Sequence, residues 1–165
     1  MERNDFVAKV ICICGKICCG KTTYAQSLLK KEHAVLLSTD EITLALFDQH
    51  IGEKHDEIVE RTQDYLLHKS VEITACGISV VLDWGFWQKE DRAAARAFFT
   101  AHEVPCEFHY LDIDDALWQQ RRAKRNAAIL AQEVSAYYVD EGLAKKFGGL
   151  FEKPEREEID IWLTP

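Results

Sequence analysis

The most specific chemistry in the chain lies near its N-terminus. Gly15-Lys16-Ile17-Cys18-Cys19-Gly20-Lys21-Thr22 fits the pattern G-x-x-x-x-G-K-[ST] at every fixed position. Each position has a physical reason. The glycines let the backbone wrap with its N–H groups pointing inward, which makes a nest for an anion. The helix that follows starts at the nest, so its positive N-terminal end faces the same anion. Lys21 is placed to reach the β- and γ-phosphates of a nucleotide, and the Thr22 hydroxyl to ligate Mg²⁺. With Thr23 just inside the helix, residues 15–23 are the expected ATP- and Mg²⁺-binding segment. A chance glycine turn is the competing reading. The motif, however, follows an apolar run and opens a helical one, which is the context the chemistry requires. The guanine-selecting pattern Asn-Lys-x-Asp is absent, which favours ATP over GTP.

Acids recur where three apolar runs end: Ser38-Thr39-Asp40-Glu41, Leu82-Asp83-Trp84-Gly85 and Leu111-Asp112. In α/β sheets, ligands bind at the carboxyl ends of strands. Asp40 is the best candidate for a base that orients an alcohol and accepts its proton. Its alternative role is to cap the next helix, and Glu41 is a weaker candidate for the same base. Asp83 is read as a Mg²⁺ or substrate residue, against a plain strand-end turn. Asp112 is read as structural. Trp84, Phe86 and Trp87 either stack on an acceptor or wall the core.

A basic cluster, Arg121, Arg122, Lys124 and Arg125, falls within five positions. Arg121 and Arg125 are four residues apart and share a helix face. They lead into an irregular stretch, Asn126–Val134. Arginines entering such a stretch suit a lid over roughly 121–136 that neutralises a transferring phosphate. A solvated basic face is the bland alternative. Cys18 and Cys19 sit inside the glycine loop. They are either small residues tolerated where only the backbone works, or a redox brake on the nest.

The elements that must position these residues follow from the hydrophobic period. Strands are expected over Phe6–Cys14, Ala34–Leu37, Ile78–Leu82, Phe108–Leu111 (starting as early as Cys106) and Ile159–Leu163. Helices are expected over Lys21–Lys31, Asp40–Phe47, Asp56 to about Cys76 with Gly77 as its stop, and Lys89–His102. The last of these carries Ala93, Ala94, Ala97, Phe98 and Ala101 on one face. Two more follow: one capped by Asp114 and running through Asn126, and Ser135–Phe147 closed by Gly148-Gly149. Strands alternating with helices give an α/β fold with a parallel sheet and right-handed crossovers.

Composition sets the outer bounds. The 165 residues make roughly one domain, 1–165, with 47% hydrophobic and 29% charged residues. No apolar run approaches a bilayer span. The acid-bearing start, Met-Glu-Arg-Asn-Asp, is not a signal peptide, so a cytoplasmic chain with free thiols is expected. The cysteine spacings lack the second pair or His-x-x-x-His that a zinc site needs. With 20 basic against 28 acidic residues, the net charge of −8 argues against a nucleic-acid partner. Oligomeric state leaves no mark in the sequence.

Taken together, these blocks resemble the small P-loop kinases of the AAA_33 type. These are similar to the kinase domain of polynucleotide kinase, to chloramphenicol phosphotransferase and to zeta toxins. The resemblance is carried by Gly15–Thr22, Ser38-Thr39-Asp40-Glu41-Ile42 and Val81-Leu82-Asp83-Trp84-Gly85-Phe86-Trp87 with Asp91-Arg92. It extends to Trp118, Arg121 and Arg125-Asn126, and to Phe151-Glu152-Lys153-Pro154. It implies a three-layer nucleotide-kinase fold with a five-stranded parallel sheet. It also implies Asp40 as base, Arg121 and Arg125 as lid arginines, and Phe151–Pro154 beside the nucleotide base. Relatives with phosphorylated acceptors are expected to carry an arginine soon after the acid, and Glu41-Ile42-Thr43-Leu44-Ala45-Leu46 has none. The leading expectation is therefore a kinase moving the γ-phosphate of ATP to a hydroxyl of a small-molecule acceptor. The alternatives are a polynucleotide 5′-hydroxyl kinase, a nucleotide-gated ATPase module and a toxin-like kinase acting on a sugar nucleotide.

Overall fold

A computed structural model describes residues 6–47, 51–134 and 136–165. The expected helix start at Ser135 lies outside the described residues. The order is β1 (Val10–Cys14), α1 (Lys21–Lys31), β2 (Ala34–Leu37), α2 (Thr39–Phe47), α3 (His55–Ala75), β3 (Ser79–Gly85) and α4 (Lys89–Ala101), followed by β4 (Cys106–Leu111), α5 (Asp115–Leu130), α6 (Glu141–Leu150) and β5 (Ile161–Leu163). All the described strand pairs are parallel, in the order β2-β3-β1-β4-β5.

The sheet is buried on both faces because successive side chains point to opposite sides. Val10, Cys12 and Cys14 of β1 join Val80, Leu82 and Phe108 under α4. Ile11 and Ile13 join Val81 under Ala25 and Leu28 of α1, with Leu117 and Trp118 of α5 alongside. This is a three-layer α/β/α arrangement. Burial pushes the Cys14 thiol up to about 12 and raises Cys12 as well, so both behave as small hydrophobes. No helix among the described residues is long and apolar enough to cross a membrane.

Several elements depart from the sequence expectation. β3 runs three residues further, to Gly85, because it keeps pairing with β1 through an irregular register that sets Cys14 opposite Gly85. α5 continues through Ala127-Ala128-Ile129-Leu130, all tolerable or strong helix formers. α6 starts later, at Glu141, where the Asp140 carboxylate accepts the Leu143 N–H at 2.8 Å. Gly148 and Gly149 do not close it. They lie inside α6, which ends only where Phe151 turns extended. Gly77 does stop α3, with φ +80 and its N–H on the Thr74 carbonyl.

The buried face of α4 is also not the alanine face. Ala93, Ala94, Ala97 and Ala101 are exposed, whereas Arg92, Ala95 and Phe99 are buried. The cause is Arg92, 2% exposed, which turns the helix toward its own partners. Its guanidinium binds Glu158 at 2.9 Å and donates to the carbonyls of Phe86, Trp87 and Glu152. Burial alone would raise the Glu158 carboxyl, but the Arg92 hydrogen bond overrides this and holds it below the usual range. Arg92→Ala leaves the half-buried Glu158 carboxylate without its cation and removes a donor from three carbonyls, of which that of Trp87 keeps the Glu152 N–H. It should cost about 3–5 kcal/mol in urea unfolding. The wild-type pair contributes stability above the ordinary carboxylate pKa and loses it as pH falls through the lowered value, and the variant should lack that acid step.

Candidate active site

A cleft of about 2160 Å³ opens at the carboxyl ends of the strands. A single-ligand pocket takes about 300–1,000 Å³, so two substrates have room here. The Gly15–Thr22 loop joins β1 to α1 on its floor. Cys18 (φ +60) and Gly20 (φ +100) both adopt the left-handed conformation, one of the turns by which successive N–H groups face a common centre. Gly15 is required by packing, since a Cβ there would lie 2.6 Å from Cys19 Sγ. Lys21 Nζ donates to the carbonyls of Gly15 (3.2 Å) and Lys16 (2.7 Å). Thr22 Oγ1 donates to Asp83 Oδ2 at 2.9 Å. Ile17, Cys18, Gly20 and Thr23 also line the cleft. Lys16 turns outward, bonding Asp115 at 3.2 Å and lying over the Trp118 ring.

Helix α5 braces the loop from outside. Trp118 Nε1 donates to the Ile17 carbonyl at 2.7 Å, Arg121 to the Cys19 carbonyl, and Arg125 to Cys18 Sγ at 3.5 Å. These residues are spaced three and four apart, so they share one face. Gly20 leaves room for this contact, because a Cβ there would come within 2.8 Å of Arg121 Nη1. Arg122 does a different job. It is buried and donates to Gln119 and Glu141, tying α5 to α6.

Of the two readings for Asp40, the cap role belongs to another residue: Ser38 Oγ accepts the Glu41 N–H at 3.3 Å. Asp40, at the start of α2, has no side-chain hydrogen-bond partner among the described residues and lines the cleft with Glu41. Although Asp40 is exposed to solvent, the protein packed around its carboxyl removes enough water to raise it above the usual range. Lys21 and Arg125 pull it back down and Asp83 pushes it up. Asp83, 6% exposed, sits within β3 rather than past its end. Asp112 is a brace, accepting from Lys153 (3.0 Å), Tyr110 (3.2 Å) and Trp162 (3.2 Å).

The three aromatics divide between their two readings. Phe86 belongs to the core. Trp84 stacks on Phe86 at 5.0 Å and lines the cleft, as does Trp87, which packs on Phe147 at 5.0 Å. The Phe151–Pro154 segment runs beside Trp87, with the Glu152 N–H on the Trp87 carbonyl. Cys19 is wholly buried with Ile11 and Ile13, while Cys18 sits beside Arg125.

Sequence reasoning missed His55 and Tyr137. The Tyr137 hydroxyl shares a 3.2 Å hydrogen bond with Thr43 Oγ1 of α2, and its ring meets His55 of α3 edge-on at 6.0 Å. The Asn126 side chain grips Val139 by both its N–H and its carbonyl, which holds a strap over residues 136–140 to α5. The signal was there: two adjacent tyrosines just past an irregular stretch.

Thr22 and Asp83 together offer a hydroxyl and a carboxylate. Mg²⁺ beside phosphates is held by one or two such hard oxygen ligands plus water. Among the described residues, no group of three or more His, Cys, Asp or Glu forms a cage that could hold a metal.

The chain belongs to the AAA_33 family, described as an AAA domain, which residues 10–145 match. Its fold is shared by solved structures of small kinases. A sugar kinase from Janibacter sp. HTCC2649, unliganded, is 18% identical with a TM-score of 0.66, covering 95% of this chain and 85% of that one. The Mycobacterium tuberculosis APS kinase CysC, in complex with AMPPNP and APS, is 20% identical with a TM-score of 0.65, covering 96% and 88%. A gluconokinase from Sinorhizobium meliloti 1021 is 13% identical with a TM-score of 0.64, covering 96% and 83%. No curated protein matches the chain by sequence.

Proposed function

We propose that the protein is an ATP- and Mg²⁺-dependent kinase acting on a hydroxyl of a small molecule. The observation that carries this reading is a convergence in one cleft. Thr22 meets Asp83 at the loop, and Asp40 faces them under the combined charge of Lys21 and Arg125. In this reading the loop N–H groups and Lys21 hold the phosphates of ATP. Thr22 and Asp83 would hold Mg²⁺, which neutralises β- and γ-phosphate charge when bound. Asp40 orients the acceptor in line and takes its proton as the new O–P bond forms and the bond to the leaving ADP breaks. Arg121 is occupied with the loop backbone. Arg125 has, among the described residues, only the Cys18 thiol as a partner and is the arginine available to the transferring phosphate. The end of α5 and the strap beyond it, roughly 121–136, form the lid.

Arg125→Ala should lower kcat by about 10²-fold while changing ATP affinity little. Equal losses in both would place Arg125 in ground-state binding instead. The reading as a whole is tested with γ-labelled ATP, Mg²⁺ and either a 5′-hydroxyl oligonucleotide or a crude metabolite extract. Label in a metabolite supports it. Label in the oligonucleotide replaces it with a polynucleotide kinase. Label released only as free phosphate leaves an ATPase module.

A further inference from the structure

The cleft is electrically polarised. Among the described residues its lysines and arginines come from the loop, α5 and α6: Lys21, Arg121, Lys124, Arg125 and Lys146. The wall made by α2, the start of α3 and the end of β3 carries Asp40, Glu41, Asp56 and Asp83 and, among the described residues, no lysine or arginine of its own; Asp40 and Asp83 are its members nearest the loop, the first beside Lys21 and Arg125 and the second bonded to Thr22. Asp91 of α4 adds another acid to the cleft. His55 is paired with Asp56 at 3.2 Å.

Acids alone would be a solvated rim. A second observation ties them to a ligand. Thr39, 1% exposed, lines the cleft beside Asp40, and its hydroxyl has no hydrogen-bond partner among the described residues. Buried hydroxyls are almost always satisfied, so an unmet one in a cleft wall marks where a bound polar atom completes the set. Trp84 and Tyr137, both half-buried, line the same cleft, Trp84 with one side of its ring stacked on Phe86.

From this juxtaposition we infer that the acceptor is a small hydroxyl-bearing cation, an amino alcohol or amino sugar with its nitrogen protonated. This rests on the kinase reading above. Asp40 serves the hydroxyl and Asp83 is engaged with Thr22, which leaves Glu41 and Asp56 to face the ammonium. Trp84 and Tyr137 supply the faces that attract a cation. An anionic acceptor would meet Glu41 and Asp56 with no guanidinium or ammonium on their own wall among the described residues, so that part of the cleft rejects as well as attracts. In the reaction the alcohol O–H proton passes to Asp40, the oxygen bonds to the γ-phosphorus, and the bond to ADP breaks. The ammonium is unchanged, so the product is a zwitterionic phosphate ester.

The test divides a metabolite extract by ion exchange at neutral pH into cation-retained, anion-retained and unretained pools. Each is offered with γ-labelled ATP and Mg²⁺. Label should enter an organic phosphate only from the cation-retained pool. The Glu41→Gln/Asp56→Asn double variant should raise KM for that pool about tenfold while leaving KM for ATP unchanged. An unchanged KM for the pool overturns the role given to these acids. Label entering from the anion-retained or unretained pool overturns the inference and leaves the kinase standing. Free phosphate as the only labelled product from every pool overturns the kinase reading and the inference together.

Discussion

Lys21→Ala is expected to reduce phosphate transfer by about 10³-fold or more and to weaken ATP binding. Of the two lysines of the loop, Lys16 turns outward to Asp115 and Lys21 lines the cleft, so the Lys21 ammonium is what brings positive charge to the β- and γ-phosphates. In the protein described here it bonds the carbonyls of Gly15 and Lys16. Its removal therefore also takes that donor from the Gly15 carbonyl, while the Lys16 carbonyl keeps the Cys19 N–H at 3.3 Å. Thermal unfolding measured alongside separates the two effects: a fold defect lowers Tm, whereas loss of phosphate contact appears only in the nucleotide titration and the label assay. Full activity in the variant would overturn the assignment of the loop.

Asp40→Asn should behave differently. ATP affinity should hold within about twofold, while kcat falls about 10²–10⁴-fold, the range for removal of a general base. The pH dependence carries the sharper signature. Desolvation raises the Asp40 carboxyl, so the wild-type rate should fall with acidification from a higher pH than an ordinary aspartate would give. A base works only when deprotonated, so activity is present above this raised pKa and lost below it. The asparagine variant should show low activity without that limb. If transfer and pH profile are both unchanged, Asp40 is only a first-turn acid of α2.

The parallel α/β layering was readable because both of its signals are local. β1 and β3 are apolar on both faces, and the helices between them switch period cleanly, so α1 and β2 end where the pattern says. The loop was readable because its chemistry admits few residue types. What escaped depended on distant partners. Arg92 reads as a polar position on α4, yet Glu158 and three carbonyls from other elements draw it inward. Tyr137 lies in a stretch without period, and distant residues such as Thr43 and Asn126 decide where its strap runs. The freedom of Asp40 from capping was likewise undecidable from a Ser-Thr-Asp run in which each residue is a competent cap.

The grip of α5 on the loop has a thermodynamic meaning. Its Trp118, Arg121 and Arg125 hold successive groups of the phosphate loop, and its Asn126 holds the strap that carries Tyr137 to α2 and α3. One rigid rod thus contacts the elements at both ends of the cleft. If ordering that rod contributes to binding at either end, the two ligands are linked, and linkage is reciprocal. Whatever factor the nucleotide adds to acceptor affinity, the acceptor adds to nucleotide affinity. The rod then makes the protein a sensor of its two ligands together, with each alone held more loosely than in the other's company.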